Sequence, residues 1–116
     1  MKVANKILLA SAVSSLLVSN IFAADLVKEG EKVFNDKNKG NCLACHAISG
    51  QKIDGPGSVG PDLSMVAGYD DKMLYDMIYD TYPGKSKVTA MPAFGANGWL
   101  TDTEIKAVVA YLKSLQ

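Results

Sequence analysis

Five consecutive positions, Cys42-Leu43-Ala44-Cys45-His46, constrain this chain more than any other stretch. Bare C-x-x-C serves zinc binding, disulfide exchange or haem attachment, and an adjoining His narrows the choice to the last. In such a site the two thiols add across the haem vinyl groups as thioethers. The imidazole that follows lies under the ring and binds the iron. The chain has two Cys and one His, all within this motif. A tetrahedral zinc site would therefore need its fourth ligand from a carboxylate or from another chain. A dithiol redox motif would need a βαβ setting, and no alternating strand pattern of useful length occurs.

The first residues read as an export signal. Lys2 and Lys6 form a basic start, Ile7 to Val18 is an apolar run diluted by Ser, and Ala23-Ala24 supplies small residues for cleavage. Residues 1–23 are therefore expected to leave, with cleavage after Ala24 as the second choice, and 24–116 to form one domain. A retained membrane anchor is the alternative. Against it, Ile7 to Phe22 is short for a bilayer span and carries four Ser and one Asn. What remains is a small domain, so a large apolar cofactor would help complete its core. Twelve Lys balance twelve Asp plus Glu, there is no Arg, and two of the Lys fall in the leader. That balance excludes a basic nucleic-acid surface.

Helical spacing predicts a first helix from Asp25, as its cap, to about Asn35, with Gly30, Val33 and Phe34 on one face. A glycine inside a helix costs about 1 kcal/mol relative to Ala. Either another helix approaches closely there, or the glycine is incidental. Residues 49–60 hold four Gly and one Pro and read as a loop at the haem edge. In Gly60-Pro61-Asp62-Leu63 the fixed proline keeps the chain extended and offers carbonyls. One of these could accept the Nδ1–H of His46, although spacing alone permits an ordinary turn equally well. Asp70 is the expected cap of a second helix running to about Tyr82 and stopped by Pro83-Gly84. Thr101-Asp102-Thr103-Glu104 is a capping box that opens a third helix through Val108 and Leu112. The fold class is all-α with long ordered loops.

The sixth iron position falls to Met, Lys, water or nothing. Met73 and Met77 lie within a helical pattern, where Met usually packs, and Met65 lies on the Pro61 side. Met91 stands in a loop before Pro92, 45 residues beyond His46, and is the expected ligand. A His/Met pair raises the potential relative to bis-His and leaves no open site for a substrate, which favours electron transfer.

Taken in order, Cys42 to His46, Gly60-Pro61-Asp62-Leu63, Met91-Pro92-Ala93-Phe94-Gly95 and a last helix with Ala110-Tyr111-Leu112 resemble a class I cytochrome c along nearly the whole mature chain. The resemblance implies three main helices around one covalent haem c, with Gly30 and Phe34 meeting Tyr111. It also implies attachment at Cys42 and Cys45, the Pro61 carbonyl bonded to His46, and axial ligation by His46 and Met91. Export fits too, since c-type cytochromes mature across the membrane.

In finer detail, Gly40-Asn41 before the motif, Val59 before Gly60, and Leu100-Thr101 after the Met segment are similar to the SoxX family. These are the monohaem subunits of periplasmic sulfur-oxidising SoxAX cytochromes. That likeness implies an electron-accepting subunit, not itself catalytic, of an L-cysteine S-thiosulfotransferase complex. Its partner would be a larger haem-bearing SoxA-type cytochrome that couples thiosulfate to a carrier-protein cysteine. A free periplasmic carrier in a respiratory chain is the alternative, and a haem enzyme or gas sensor would need an open iron site. The short chain and the absence of Arg depart from the more familiar members and leave the partner surface open. Loops 49–60 and 84–100 are the expected docking rim, with Ile53, Val59, Phe94 and Trp99 among Lys52, Lys85 and Lys87; packing of Phe94 and Trp99 on the haem itself is the alternative for those two.

Overall fold

A computed structural model describes residues 22–80 and 89–115. Three α-helices order the chain: α1 across residues 22–35, α2 at Asp71–Asp80 and α3 at Asp102–Ser114. Short 3₁₀ turns stand at Cys42–Ala44 and Val66–Gly68, and the described residues include no strand. The all-α expectation holds. No helix among the described residues is long and apolar enough to cross a membrane.

The packing centre is the crossing of α1 and α3. Val33 and Phe34 on α1 are fully buried, as are Ile105 and Val108 on α3. Phe34 meets Tyr111 edge-on, with ring centroids 5.5 Å apart. Gly30 explains how the two backbones come so close. A Cβ there would run into the Ala107 carbonyl and lie 2.8 Å from the Tyr111 Cβ. Gly30 is therefore the close-approach glycine, and its helix-propensity cost is offset by the crossing it permits. Gly30→Leu is expected to destabilise the holoprotein by about 1–3 kcal/mol or more. Chemical denaturation against an exposed α1 control, Lys28→Ala, checks this. A loss no larger than the control's would mean that the crossing tolerates a side chain.

The capping signals fare unequally. Asp70 caps α2 as expected, its Oδ1 accepting from Lys72 N at 2.9 Å and Met73 N at 3.2 Å. Thr101 caps α3, its hydroxyl accepting from Glu104 N at 3.2 Å. Glu104 also receives Lys39 Nζ at 3.1 Å, which ties the turn before the Cys motif to the start of α3. Asp25 does not cap α1. In the full chain Phe22, Ala23 and Ala24 are already helical, so Asp25 sits inside the helix. Alanine is the strongest helix former, and the two Ala extend the element upstream of the polar residue that would otherwise start it. The remainder of the expected export segment lies outside the described residues, as do Tyr82 and the Pro83-Gly84 stop.

α2 lays Leu74 and Ile78 against α3, closing the core on that side. Its last turn also carries the Met91 segment. Phe94 N donates to the Ile78 carbonyl at 3.2 Å, and Gly95 N and Ala96 N donate to Tyr79 O at 3.1 and 2.9 Å. Carbonyls left without partners at a helix end thus anchor the loop.

Candidate haem site

The Cys motif is delivered by a tight exit from α1. Gly40 N donates to Val33 O at 3.1 Å and Asn41 N to Asp36 O at 3.0 Å. Asn41 then takes a left-handed conformation at φ 47°, ψ 37°, which Asn tolerates better than most residues. From there Cys42–Ala44 forms one 3₁₀ turn, and His46 N donates back to Cys42 O at 2.9 Å. Both thiols are unpaired and half-buried. Burial, with Cys45 beside it, pushes the Cys42 thiol up to about 12 despite an opposing backbone hydrogen bond. A nucleophile for disulfide exchange needs the opposite shift, toward thiolate, so the geometry disfavours that use. Among the described residues no group of three or more His, Cys, Asp and Glu side chains converges to hold a metal ion. The zinc alternative therefore lacks a ligand set there.

His46 is held from behind. Its Nδ1–H donates to the Pro61 carbonyl at 2.7 Å, which fixes the tautomer and leaves the Nε2 lone pair free for a metal. The expected bond is present. Gly60 packs flat on the ring: a Cβ there would overlap Cε1 and lie 2.7 Å from Nδ1 and 2.9 Å from Nε2. A ladder of backbone bonds sets this register. Gly57 N donates to Leu43 O at 2.8 Å, Gly60 N to Cys45 O at 2.7 Å and Leu63 N to Ala47 O at 2.9 Å. The loop from 57 to 63 thus runs alongside the motif residue by residue.

Met91 is half-buried against the core, and its N–H donates to Thr89 Oγ1 at 3.2 Å. Met65 and Met73 are 78% and 52% exposed and point away from the core. Between the motif and the Met91 loop lies a cavity of about 550 Å³. Cys45 stands on one wall, and Ala90 and Pro92, the neighbours of Met91, stand on the other. The size is that of a cofactor pocket, roughly 300–1,000 Å³. Cys42, His46 and Met91 do not line this cavity, so of the expected site residues only Cys45 reaches it, together with the neighbours of Met91. The donor chemistry itself, two unpaired thiols beside an imidazole with Nε2 free, suits haem c.

The expected docking rim is only partly apolar. Val59 is 74% and Trp99 60% exposed, but Phe94 is buried at 8%. Its carbonyl accepts from both Trp99 N and Leu100 N, at 2.9 and 3.0 Å, which folds the loop over its own ring. Ile53 is half-buried, and Lys85 and Lys87 lie outside the described residues. Two contacts were not anticipated from the sequence. The Asp62 carboxylate gathers Ser49 and Ser64, and the Tyr79 ring lies flush on Gly95. The Asp62 to Ser64 turn had a local signature, since Asp commonly accepts from the backbone two residues on. Ser49 and Tyr79 had none.

Residues 27–116 match the family model described as cytochrome c. The chain belongs to the cytochrome c family. It is an electron-transfer haem protein, and its haem c is bound covalently. It is also similar to a protein described as an uncharacterized lipoprotein of Aquifex aeolicus (strain VF5), at 38% identity over 92 residues. That match covers 75% of this chain and 44% of the relative, so the chain spans less than half the length of the curated protein it matches.

Proposed function

We propose that the chain carries one haem c on Cys42 and Cys45, with His46 and Met91 as axial ligands, and passes electrons in the periplasm as a SoxX-type subunit. When bound, the haem supplies a one-electron iron couple. The observation that carries the ligation is the His46 Nδ1–H bond to Pro61 O at 2.7 Å, which reserves Nε2 for the iron. Pro92 stiffens the segment that presents Met91, and the α2 carbonyls of Ile78 and Tyr79 anchor it. With His46 and Met91 both held to it, a haem iron would have no open position for a substrate. The sole His is committed, so the chain offers no group to activate a sulfur compound. Electrons therefore enter from another protein, and thiosulfate chemistry belongs to a larger haem-bearing SoxA-type partner.

A free periplasmic carrier is the second reading, and one observation favours it. With Phe94 buried, Val59 and Trp99 are the large apolar residues exposed among the described residues of the rim, while a permanent subunit is expected to present an apolar centre. Purification from the native host at about 0.3 M salt separates the two, because salt screens charge-led docking far more than apolar contact. The subunit reading predicts elution with a larger haem protein and no thiosulfate oxidation by the isolated chain. Elution alone, with reduction by several unrelated donors, would establish the carrier.

A further inference from the structure

The Asp62 carboxylate has no part in the ligation itself, yet it is the most heavily bonded side chain near the site. Oδ2 accepts from the Ser49 hydroxyl at 2.7 Å and from Ser49 N at 3.1 Å. Oδ1 accepts from Ser64 N at 2.8 Å and, more weakly, from Ser49 N at 3.3 Å. These bonds, led by the one from the Ser49 side chain, hold its carboxyl well below the usual carboxylate range. Ser49 lies three residues past His46, and Asp62 directly follows the proline whose carbonyl receives the imidazole. Proline has no N–H, so it cannot join the ladder through its own amide. The flanking backbone bonds come from Gly60 and Leu63. Asp62 supplies a fastening between them that the proline cannot.

We propose that Asp62 is a positioning residue for His46: by clasping Ser49 to Ser64 it presses the Pro61 carbonyl onto Nδ1 and thereby sets the reduction potential. The proposal rests on the reading of His46 as an iron ligand. A bond from Nδ1–H to a carbonyl raises the basicity of a ligating imidazole. A more basic imidazole favours the ferric state, so loosening the clasp raises the potential. The exposed carboxylate acts by direction, through the geometry it imposes on its neighbour.

The test uses holoprotein and two readouts, potentiometric titration and the hyperfine-shifted proton NMR of the ferric state. Asp62→Ala raises the potential and shifts the His46 ring resonances. Ser49→Ala moves both in the same direction by less, and remains informative if Asp62→Ala fails to accumulate. Asp62→Asn, which keeps an acceptor for Ser64 N, restores part of the shift. Thr101→Ala loosens the α3 cap, lowers thermal stability and leaves both readouts at wild-type values. If wild-type His46 gives hyperfine-shifted resonances but Asp62→Ala and Ser49→Ala keep the wild-type potential, the clasp proposal is overturned and the ligation stands. If wild-type His46 gives none, the ligation itself is wrong and the proposal falls with it.

Discussion

Cells making Cys42→Ala or Cys45→Ala should accumulate no stable holoprotein, and haem-linked absorbance on the denatured chain should fall to background. The effect is large because attachment and folding are coupled. The domain is small, and chains of this size bury a limited fraction of their surface. In the protein alone a cavity of about 550 Å³ separates the Cys motif from the Met91 loop, with Cys45 on its wall. A ligand that fills this space and binds only the folded chain stabilises the fold by mass action, and covalent attachment makes the effect permanent. Each thiol lies half-buried on one short turn, so removing either also leaves space behind. Haem staining of a denaturing gel reads the result. Either variant accumulating holoprotein at the wild-type level would show that attachment does not need both sulfurs.

Met91→Ala should abolish the far-red charge-transfer band that a thioether gives on ferric iron. It should also lower the reduction potential and let added imidazole bind the opened position. Truncating a buried Met costs about 2 kcal/mol at the low end of the usual range, and Met91 is only half-buried. The domain is therefore expected to survive for spectroscopy. Met65→Ala and Met73→Ala keep the band, because these side chains are 78% and 52% exposed. A band that persists in Met91→Ala would give the sixth position to another residue.

What the sequence disclosed follows the range of the physics involved. The Cys-Cys-His spacing is chemistry within five residues, and it could be read directly. The Asp70 and Thr101 caps are local as well, and both hold. Asp25 fits the same pattern but loses to Ala23 and Ala24, which carry the helix past it. Gly30 left two readings open, and only the three-dimensional approach of Ala107 and Tyr111 separates them. Phe94 also left two readings open, a docking contact or a residue packed on the haem, and its burial at 8% on the cavity wall favours packing. The Asp62 clasp spans 13 residues to Ser49, and no short pattern encodes it. Proline 61 offering its carbonyl was legible as a possibility, while the 2.7 Å bond to His46 required the ladder that aligns residues 57–63 with 43–49.

The intact mass of the purified protein, taken under denaturing conditions after acid–acetone washing, tests the central claim most directly. A single covalent haem on Cys42 and Cys45 predicts the mass of the polypeptide increased by one haem, the polypeptide being 24–116, or 25–116 if cleavage follows Ala24, where the expected leader is removed. Fragmentation should place that increase on the peptide holding Cys42 to His46. The mass of the bare polypeptide, with the haem released into the solvent, would contradict the account.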